Sequence, residues 1–376
     1  MKICLVSSYD LAYPGGVTNH VSQLARQFSI WGHEVKIVGP SSDFAVHQSN
    51  PMYIPMGRPV PVPSGGSVAR VSFSVWLEPR IKALLEREAF DIIHLHEPLS
   101  SFLPLCVLSL SKSVNIGTFH AYHGSTRMYA LSHRVLKRWF RKLHGRIAVS
   151  KPAMEYASRY FPADYKIIPN GIDLNHFSAD VPPFPQWTDG KINILFVGRL
   201  EKRKGLKYLL SAFSDLKWDW PNIRLIVVGP GNLDDDSQRI LSSRNPQDVV
   251  FVGNARYRDL PRYYRTAHIF CAPATGKESF GIVLLEAMAA GKPIVGSNIE
   301  GFNSVMTHGK EGLLATPKDS EQLAHGIATL LKDPDMRARM GDVGRQRAND
   351  FRWEKVADQV LDYYKSFKTV PSAAEV

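Results

Sequence analysis

The chain has 376 residues, of which 44% are hydrophobic, and carries a formal net charge of +11. That length exceeds one ordinary core and suits two domains, and that apolar content excludes a disordered chain. No stretch of about 18 apolar residues occurs, which excludes a membrane-spanning helix; the excess of bases points to anionic partners, and the lack of any recognition module beside them argues against nucleic acid.

The chain opens into Lys2–Ser8, a continuous apolar run that reads as a buried parallel strand. No charged region or cleavage site precedes it, so no signal peptide is expected. Gly15 and Gly16 make a tight turn into a helix over Val17–Trp31, and Val35–Gly39 is the next strand. This alternation signals a doubly wound α/β sheet. Residues 41–66 hold Pro, Gly and Ser without periodicity and read as a long loop or a short hairpin. A helix at Trp76–Glu88, a strand at Asp91–His96, a helix at Leu99–Ser111 and a strand at Val114–Phe119 follow. Lys142–Val149 crosses into another strand, and Tyr165–Ile168 ends the first domain.

Between Pro98 and Met154 the chain has nine Lys and Arg and no acid. There, His133–His144 sets Leu136, Phe140 and Leu143 on one helical face and Arg134, Lys137, Arg138, Arg141 and Lys142 over the rest. Two readings stand. The segment is an amphipathic basic helix lying on an anionic membrane, each surface base contributing ~1 kcal/mol. Alternatively it is an ordinary helix packed on a core, with a solvated face.

Asn170–Trp187, rich in Pro and polar residues, reads as an interdomain linker. Lys191–Val197 then restarts the alternation. Helices are expected at Leu206–Leu216, Asp235–Ser243, Leu260–Thr266 and Glu278–Ala290, and strands at Ile223–Val228, Val249–Val252, Ile269–Ala272 and Pro293–Gly296. Helices at Ser320–Leu331, Pro334–Phe351 and Trp353–Phe367 complete the chain before a short polar tail, Pro371–Val376. Cys4, Cys106 and Cys271 are scattered in apolar surroundings and read as reduced core residues of a cytoplasmic protein.

Lys277–Pro293 carries the densest chemistry. Glu278 sits in a loop with Gly276, Ser279 and Gly281; Glu286 falls about two turns into an apolar helix ended by Gly291 and Pro293. Free N–H groups at Phe280-Gly281 suit a phosphate or a sugar hydroxyl. A carboxylate buried at Glu286 needs a partner, which ribose hydroxyls would supply; the other reading is one exposed acid on a helix. Arg199 lies at the carboxyl end of the first strand of the second half, where ligands bind in such folds, and Lys204-Gly205 precedes the next helix. Both can hold phosphate, Arg as a fork and Lys as a point charge. Lys202 and Arg203 read as surface. His94, His96 and Glu97 invite a metal reading, but no third ligand at suitable spacing accompanies the two histidines, which share a strand face. Asp234-Asp235-Asp236 reads as a helix cap.

These residues resemble a known family. Glu278 and Glu286 around Ser279-Phe280-Gly281 are similar to the Glu-x7-Glu signature of retaining glycosyltransferases of family 4. Pro14-Gly15-Gly16-Val17, Ile168-Pro169-Asn170-Gly171-Ile172-Asp173 and Phe196-Val197-Gly198-Arg199-Leu200 match it too. Within that family, Ser67-Val68-Ala69-Arg70, His94-Leu95-His96-Glu97-Pro98, Gly117-Thr118-Phe119-His120 and Cys271-Ala272-Pro273 resemble the bacterial phosphatidylinositol mannosyltransferases.

The resemblance implies a GT-B fold, with two Rossmann-like domains facing across a cleft. It places an acceptor domain at 1–170, a linker at 171–190, a nucleotide-sugar domain at 191–352 and a final helix at 353–368 that returns to the first domain. It implies that His120, Arg199, Lys204 and Glu278 are catalytic. Gly16, Arg199, Lys204, Glu278, Ser279, Phe280, Gly281, Ile282 and Glu286 would bind the donor, and Gly15, Ser67, Arg70 and Thr126 the acceptor. His120 would bond the 6-hydroxyl of the sugar and stabilise positive charge at the anomeric centre. Glu278 would bond the hydroxyls at C3 and C4, and Glu286 the ribose. No cofactor and no active-site metal are expected, because Arg and Lys replace it.

The implied reaction moves a hexose, mannose from GDP-mannose, to a membrane lipid such as phosphatidylinositol, by an enzyme peripheral on the inner face of the cell membrane. Ser64-Gly65 and Ser72 depart from the phosphatidylinositol pattern, which has Tyr-Asn and a second arginine there. A diacylglycerol glycosyltransferase, or a soluble enzyme using a UDP-sugar and a small acceptor, therefore stays open.

Overall fold

A computed structural model describes residues 1–13, 15–43, 50–64, 67–121, 126–178 and 180–368. The chain divides into two compact units, one of Met1–Gly171 with the segment from Trp353 onward, the other of Ile172–Arg352. The expected tail Pro371–Val376 lies outside the described residues.

In the first unit the described strands are β1 (Lys2–Ser7), β2 (Glu34–Gly39), β3 (Tyr53–Pro55), β4 (Val60–Ser64), β5 (Ser67–Val71), β6 (Ile92–His96), β7 (Val114–Phe119), β8 (Gly145–Ala148) and β9 (Lys166–Ile167). Seven of them form a parallel sheet in the order β3-β2-β1-β6-β7-β8-β9. The order reverses between β1 and β6, a topological switch point of the kind at which α/β sheets bind ligands. Ile3, Cys4, Leu5 and Val6 are fully buried, as a strand covered on both faces requires. β4 and β5 pair antiparallel, so the 41–66 region includes one arm of a hairpin, with Arg70 opposite Pro61. Residues 44–49, Gly65 and Gly66 lie outside the described residues.

The helix Trp353–Lys368 belongs to this unit. Trp353, Val356, Ala357, Val360, Leu361 and Tyr364 make one buried stripe that shares a core with Val21, Leu24 and Phe28 of the helix Gly16–Ile30. Burying each large side chain of that stripe stabilises by ~1.5–3 kcal/mol. The Tyr364 hydroxyl lies 2.5 Å from His94 Nδ1, and His94 Nε2 lies 2.6 Å from Thr118 Oγ1. His94 thus anchors the C-terminal helix rather than a ligand.

The second unit holds β10 (Ile192–Val197), β11 (Ile223–Val228), β12 (Val249–Gly253), β13 (Ile269–Ala272), β14 (Ile294–Ser297) and β15 (Gly312–Ala315). Its parallel order is β12-β11-β10-β13-β14-β15, with the switch point between β10 and β13. Phe177, from the segment read as a linker, is buried in this unit's core, and Phe184 and Trp187 pack against it. The Pro-rich composition there hides three aromatic anchors.

The basic helix spans Thr126–Phe140. Leu136, Phe140 and Leu143 are buried in the first unit's core, whereas Arg134, Val135, Lys137 and Arg138 are exposed. The core-packed reading holds for its apolar stripe, which is not available to enter a bilayer. A further helix, Lys151–Tyr160, escaped the sequence reading; Ser150 caps it by accepting from Ala153 N–H. Asp234 caps Asp235–Arg244 as expected, accepting from Ser237 N–H at 2.8 Å. No helix among the described residues is long and apolar enough to cross a membrane.

Candidate active site

In the second unit the expected donor residues converge on the β10/β13 switch point. Arg199 lies two residues past β10, and the turn Lys202–Lys204 follows it. Gly205 ends that turn at φ 74°, and a β-carbon there would collide with the carbonyl of Pro273. Only glycine lets this turn press against the exit of β13. Thr275 N–H donates to Arg203 C=O at 2.8 Å and fastens the two loops.

Glu278 Oε1 accepts from Arg203 Nη1 at 2.5 Å and lies 2.7 Å from Lys204 Nζ. Glu201 pairs with Arg203 at 2.8 Å and with Arg199 at 3.2 Å. The four side chains of Glu201, Arg203, Lys204 and Glu278 are 12–18% exposed, while Arg199 is 41% exposed. Arg203, read from sequence as surface, is therefore inside the constellation; Lys202 is exposed. Glu201 was missed as well. A run of four charges gives no sign of which ones a tight turn will fold inward.

Gly281, at φ 102°, caps the helix Ile282–Ala289, which starts later than the Glu278 boundary expected. A β-carbon at Gly281 would strike the Phe302 ring. No side chain caps this helix end, so its first backbone N–H groups are not met by a capping side chain. The Phe280 ring is buried against Phe351, leaving its backbone as the part suited to a ligand. Glu286, one turn into the helix, is buried and accepts from the Tyr264 hydroxyl at 2.7 Å. Burial pushes its carboxyl up to about 7, opposed by the Tyr264 bond and the Lys204 charge. The exposed-acid reading of Glu286 is excluded. Tyr264, 22 residues upstream, carried no sequence signal. A cavity of about 740 Å³ opens beside Leu200, lined by Gly229, Gly231, Leu233, Phe251 and Asn254 among others.

The first unit builds a second constellation at the β1/β6 switch point and the neighbouring end of β7. Gly15 and Gly16, exposed, open the helix Gly16–Ile30 with no side-chain cap. His20 follows one turn later, its ring centroid 4.9 Å from that of His120. His120 directly follows β7, and its Nε2 lies 3.0 Å from His96 Nδ1. Glu97, at φ 57° and buried, accepts from the backbone N–H of His120 at 2.6 Å and of Ala121 at 2.7 Å. Burial raises the Glu97 carboxyl, and those two N–H groups oppose the rise. Burial holds His96 and His120 well below the usual imidazole range and lowers His20 to about 4, so all three are neutral at pH 7. His20, His96 and His120 each bring a nitrogen to within 4.8 Å of the others, a grouping the spacing of His94 and His96 did not reveal.

Arg70 lies with its guanidinium carbon 4.4 Å from the Tyr13 ring centroid, and its C=O accepts from Asp10 N–H. It therefore flanks the loop that leads to Gly15. Ser67 opens β5 and Thr126 opens the basic helix, but their side chains lie outside the described part. Ser72 is buried and bonded to Ser74 at 3.1 Å, and it brings no charge in place of the arginine of the resembled pattern.

Family models match both halves: Glycosyltransferase Family 4 over residues 14–176, and Glycosyl transferases group 1 over residues 180–347. The chain is 33% identical to a phosphatidyl-myo-inositol mannosyltransferase of Mycobacterium leprae over 378 residues, covering 100% of both. It is 34% identical to that of Mycobacterium tuberculosis over 374 residues, covering 97% of each. Among solved structures, a glycosyltransferase of Rickettsia africae superposes with a TM-score of 0.78 at 18% identity, covering 98% of this chain and 100% of that one. Anabaena HepE in complex with UDP and glucose gives 0.76 at 19%, covering 97% and 100%. The chain belongs to glycosyltransferase family 4, with the paired Rossmann-like units of the GT-B fold.

Proposed function

We propose that the protein transfers mannose from GDP-mannose, with retention of configuration, to a lipid bearing a phosphorylated head group such as phosphatidylinositol. The observation that carries this reading is Glu278 held between Arg203 and Lys204 at the β10/β13 switch point, with Glu286 in the helix that follows. An acid that grips a sugar and bases that neutralise a leaving diphosphate belong together in such a transfer. The names of the mycobacterial relatives support the sugar and the acceptor class.

In this mechanism the bond from the anomeric carbon to the donor phosphate breaks as the acceptor oxygen bonds to the same face. The proton of the acceptor hydroxyl passes to the departing phosphate oxygen. Arg199 and Lys204 hold the diphosphate, and amides of Gly16, Ser279, Phe280, Gly281 and Ile282 assist in binding the donor. Glu278 bonds the C3 and C4 hydroxyls, Glu286 the ribose, and His120 the 6-hydroxyl. Gly15, Ser67, Arg70 and Thr126 receive the acceptor. No bound metal is needed, since fixed cations already surround the leaving group. The exposed bases of Thr126–Phe140 supply electrostatic attraction to an anionic membrane on its inner face.

The burial of Ser72 favours a second reading, in which the acceptor carries no phosphate, as in diacylglycerol, or is a small soluble molecule used with a UDP-sugar. Thermal shift against GDP- and UDP-sugars tests the donor. A ligand at 100 times its dissociation constant stabilises by ~2.7 kcal/mol. Transfer of labelled mannose into phosphatidylinositol vesicles, diacylglycerol vesicles or water-soluble product then separates the acceptors. The proposal predicts a GDP-mannose shift and label in the phosphatidylinositol; a shift with UDP-sugars alone contradicts it.

A further inference from the structure

His96 is fully buried, and its two ring nitrogens differ sharply. Nδ1 lies 3.0 Å from His120 Nε2, whereas Nε2 is buried with no hydrogen-bond partner among the described residues. A neutral imidazole carries one proton, on one nitrogen or the other. With the proton on Nε2, a buried N–H donor is left without an acceptor. With the proton on Nδ1, that N–H donates to His120 and only a lone pair is left unmet. Buried unpaired N–H groups are the rarer and costlier of the two.

We infer that His96 is a positioning residue: its Nδ1–H donates to His120 Nε2, so His120 carries its own proton on Nδ1 and offers the substrate a hydrogen-bond donor. The consequence for catalysis rests on the role proposed above for His120; the tautomer does not. His20 leaves this assignment intact: its Nδ1–H donates to Asn170 Oδ1 at 2.9 Å, and its bare Nε2 is not within hydrogen-bond distance of His96 Nε2. His94 cannot rescue the Nε2 of His96 either, since both its nitrogens are taken by Tyr364 and Thr118. Glu97 completes the arrangement from the backbone side, fixing the amides of His120 and Ala121. Two consecutive residues thus hold one imidazole by its ring and by its main chain.

The test is a long-range ¹H–¹⁵N spectrum of the full-length protein labelled at histidine nitrogens, with His120 assigned by its loss in His120→Gln. The inference expects His120 with a protonated Nδ1 and a bare Nε2. In His96→Leu that pattern gives way to the other tautomer or to a mixture, and kcat for mannosyl transfer falls about tenfold, one lost hydrogen bond. Donor KM stays within about threefold, as an interaction with the transition state requires. His96→Asn, which keeps an N–H near the Nδ1 position, recovers most of that loss. A wild-type His120 protonated on Nε2 overturns the inference. So does a His96→Leu variant with an unchanged melting temperature and an unchanged kcat. If instead the tautomer is as stated and His120→Gln turns over normally, the role proposed for His120 fails while the assignment of His96 stands.

Discussion

The Lys204 ammonium lies 2.7 Å from the Glu278 carboxylate, joining the loop after β10 to the loop after β13. The contact places a base suited to a diphosphate beside an acid suited to a sugar, and neither side chain is more than 18% exposed. Glu278→Gln keeps the shape and removes the charge that orders Arg203 and Lys204. It is expected to lower kcat/KM about 100-fold or more, a loss of ~3 kcal/mol in transition-state stabilisation. A double-mutant cycle with Lys204→Met should give a coupling of ~1–2 kcal/mol in donor binding. Additivity of the two variants would show that the pair does not act as a unit.

The Glu286 carboxyl, raised to about 7 by burial, sets a pH dependence of donor binding. Only the ionised form accepts two ribose hydroxyls, so affinity is full above pH 7 and falls about tenfold per unit well below it. Stability of the ligand-free protein runs the other way. The folded value lies above the ordinary carboxyl value of 4.5, so this group's contribution is complete below that value and is lost as pH rises through 7. The loss is on the order of 3 kcal/mol. Glu286→Gln should therefore flatten the GDP affinity profile at a lower plateau and raise the melting temperature above pH 7. Titration calorimetry and melting at about pH 6 and about pH 8 check both; a wild-type affinity independent of pH contradicts the assignment.

Gly205→Ala should destabilise the second unit by about 2–4 kcal/mol, because alanine resists this left-handed backbone and its methyl meets the Pro273 carbonyl. A urea midpoint equal to that of the parent would show that the turn can relax away from β13.

Arg70→Ala separates acceptor from donor chemistry. Turnover with lipid acceptor should fall far more than hydrolysis of the donor, since Arg70 belongs to the first unit and touches Tyr13 beside the glycine loop. Equal loss of both activities would remove Arg70 from the acceptor site.

The alternation of the two units was legible because buried parallel strands are short continuous apolar runs: Ile223–Val228 and Ile269–Ala272 stand where the sequence put them, as does the helix Leu260–Thr266 between them. The glutamate pair was legible too, since a lone acid in an apolar helix needs a reason. What was hidden depends on distance along the chain. Tyr264 meets Glu286, Arg203 meets Glu278 and His20 meets His120 only after the sheets form. Spacing alone could not link them. The apolar stripe of the basic segment His133–His144 was ambiguous for a related reason: one such stripe suits a core and a bilayer equally, and here the core takes it while the bases stay exposed.

Titration calorimetry of the purified full-length protein with GDP-mannose, beside Lys204→Ala and Glu286→Ala variants, tests the central claim most directly. The account predicts saturable one-site binding that weakens about 100-fold in each variant. Undiminished affinity in both variants, or no heat with any activated sugar, would contradict it.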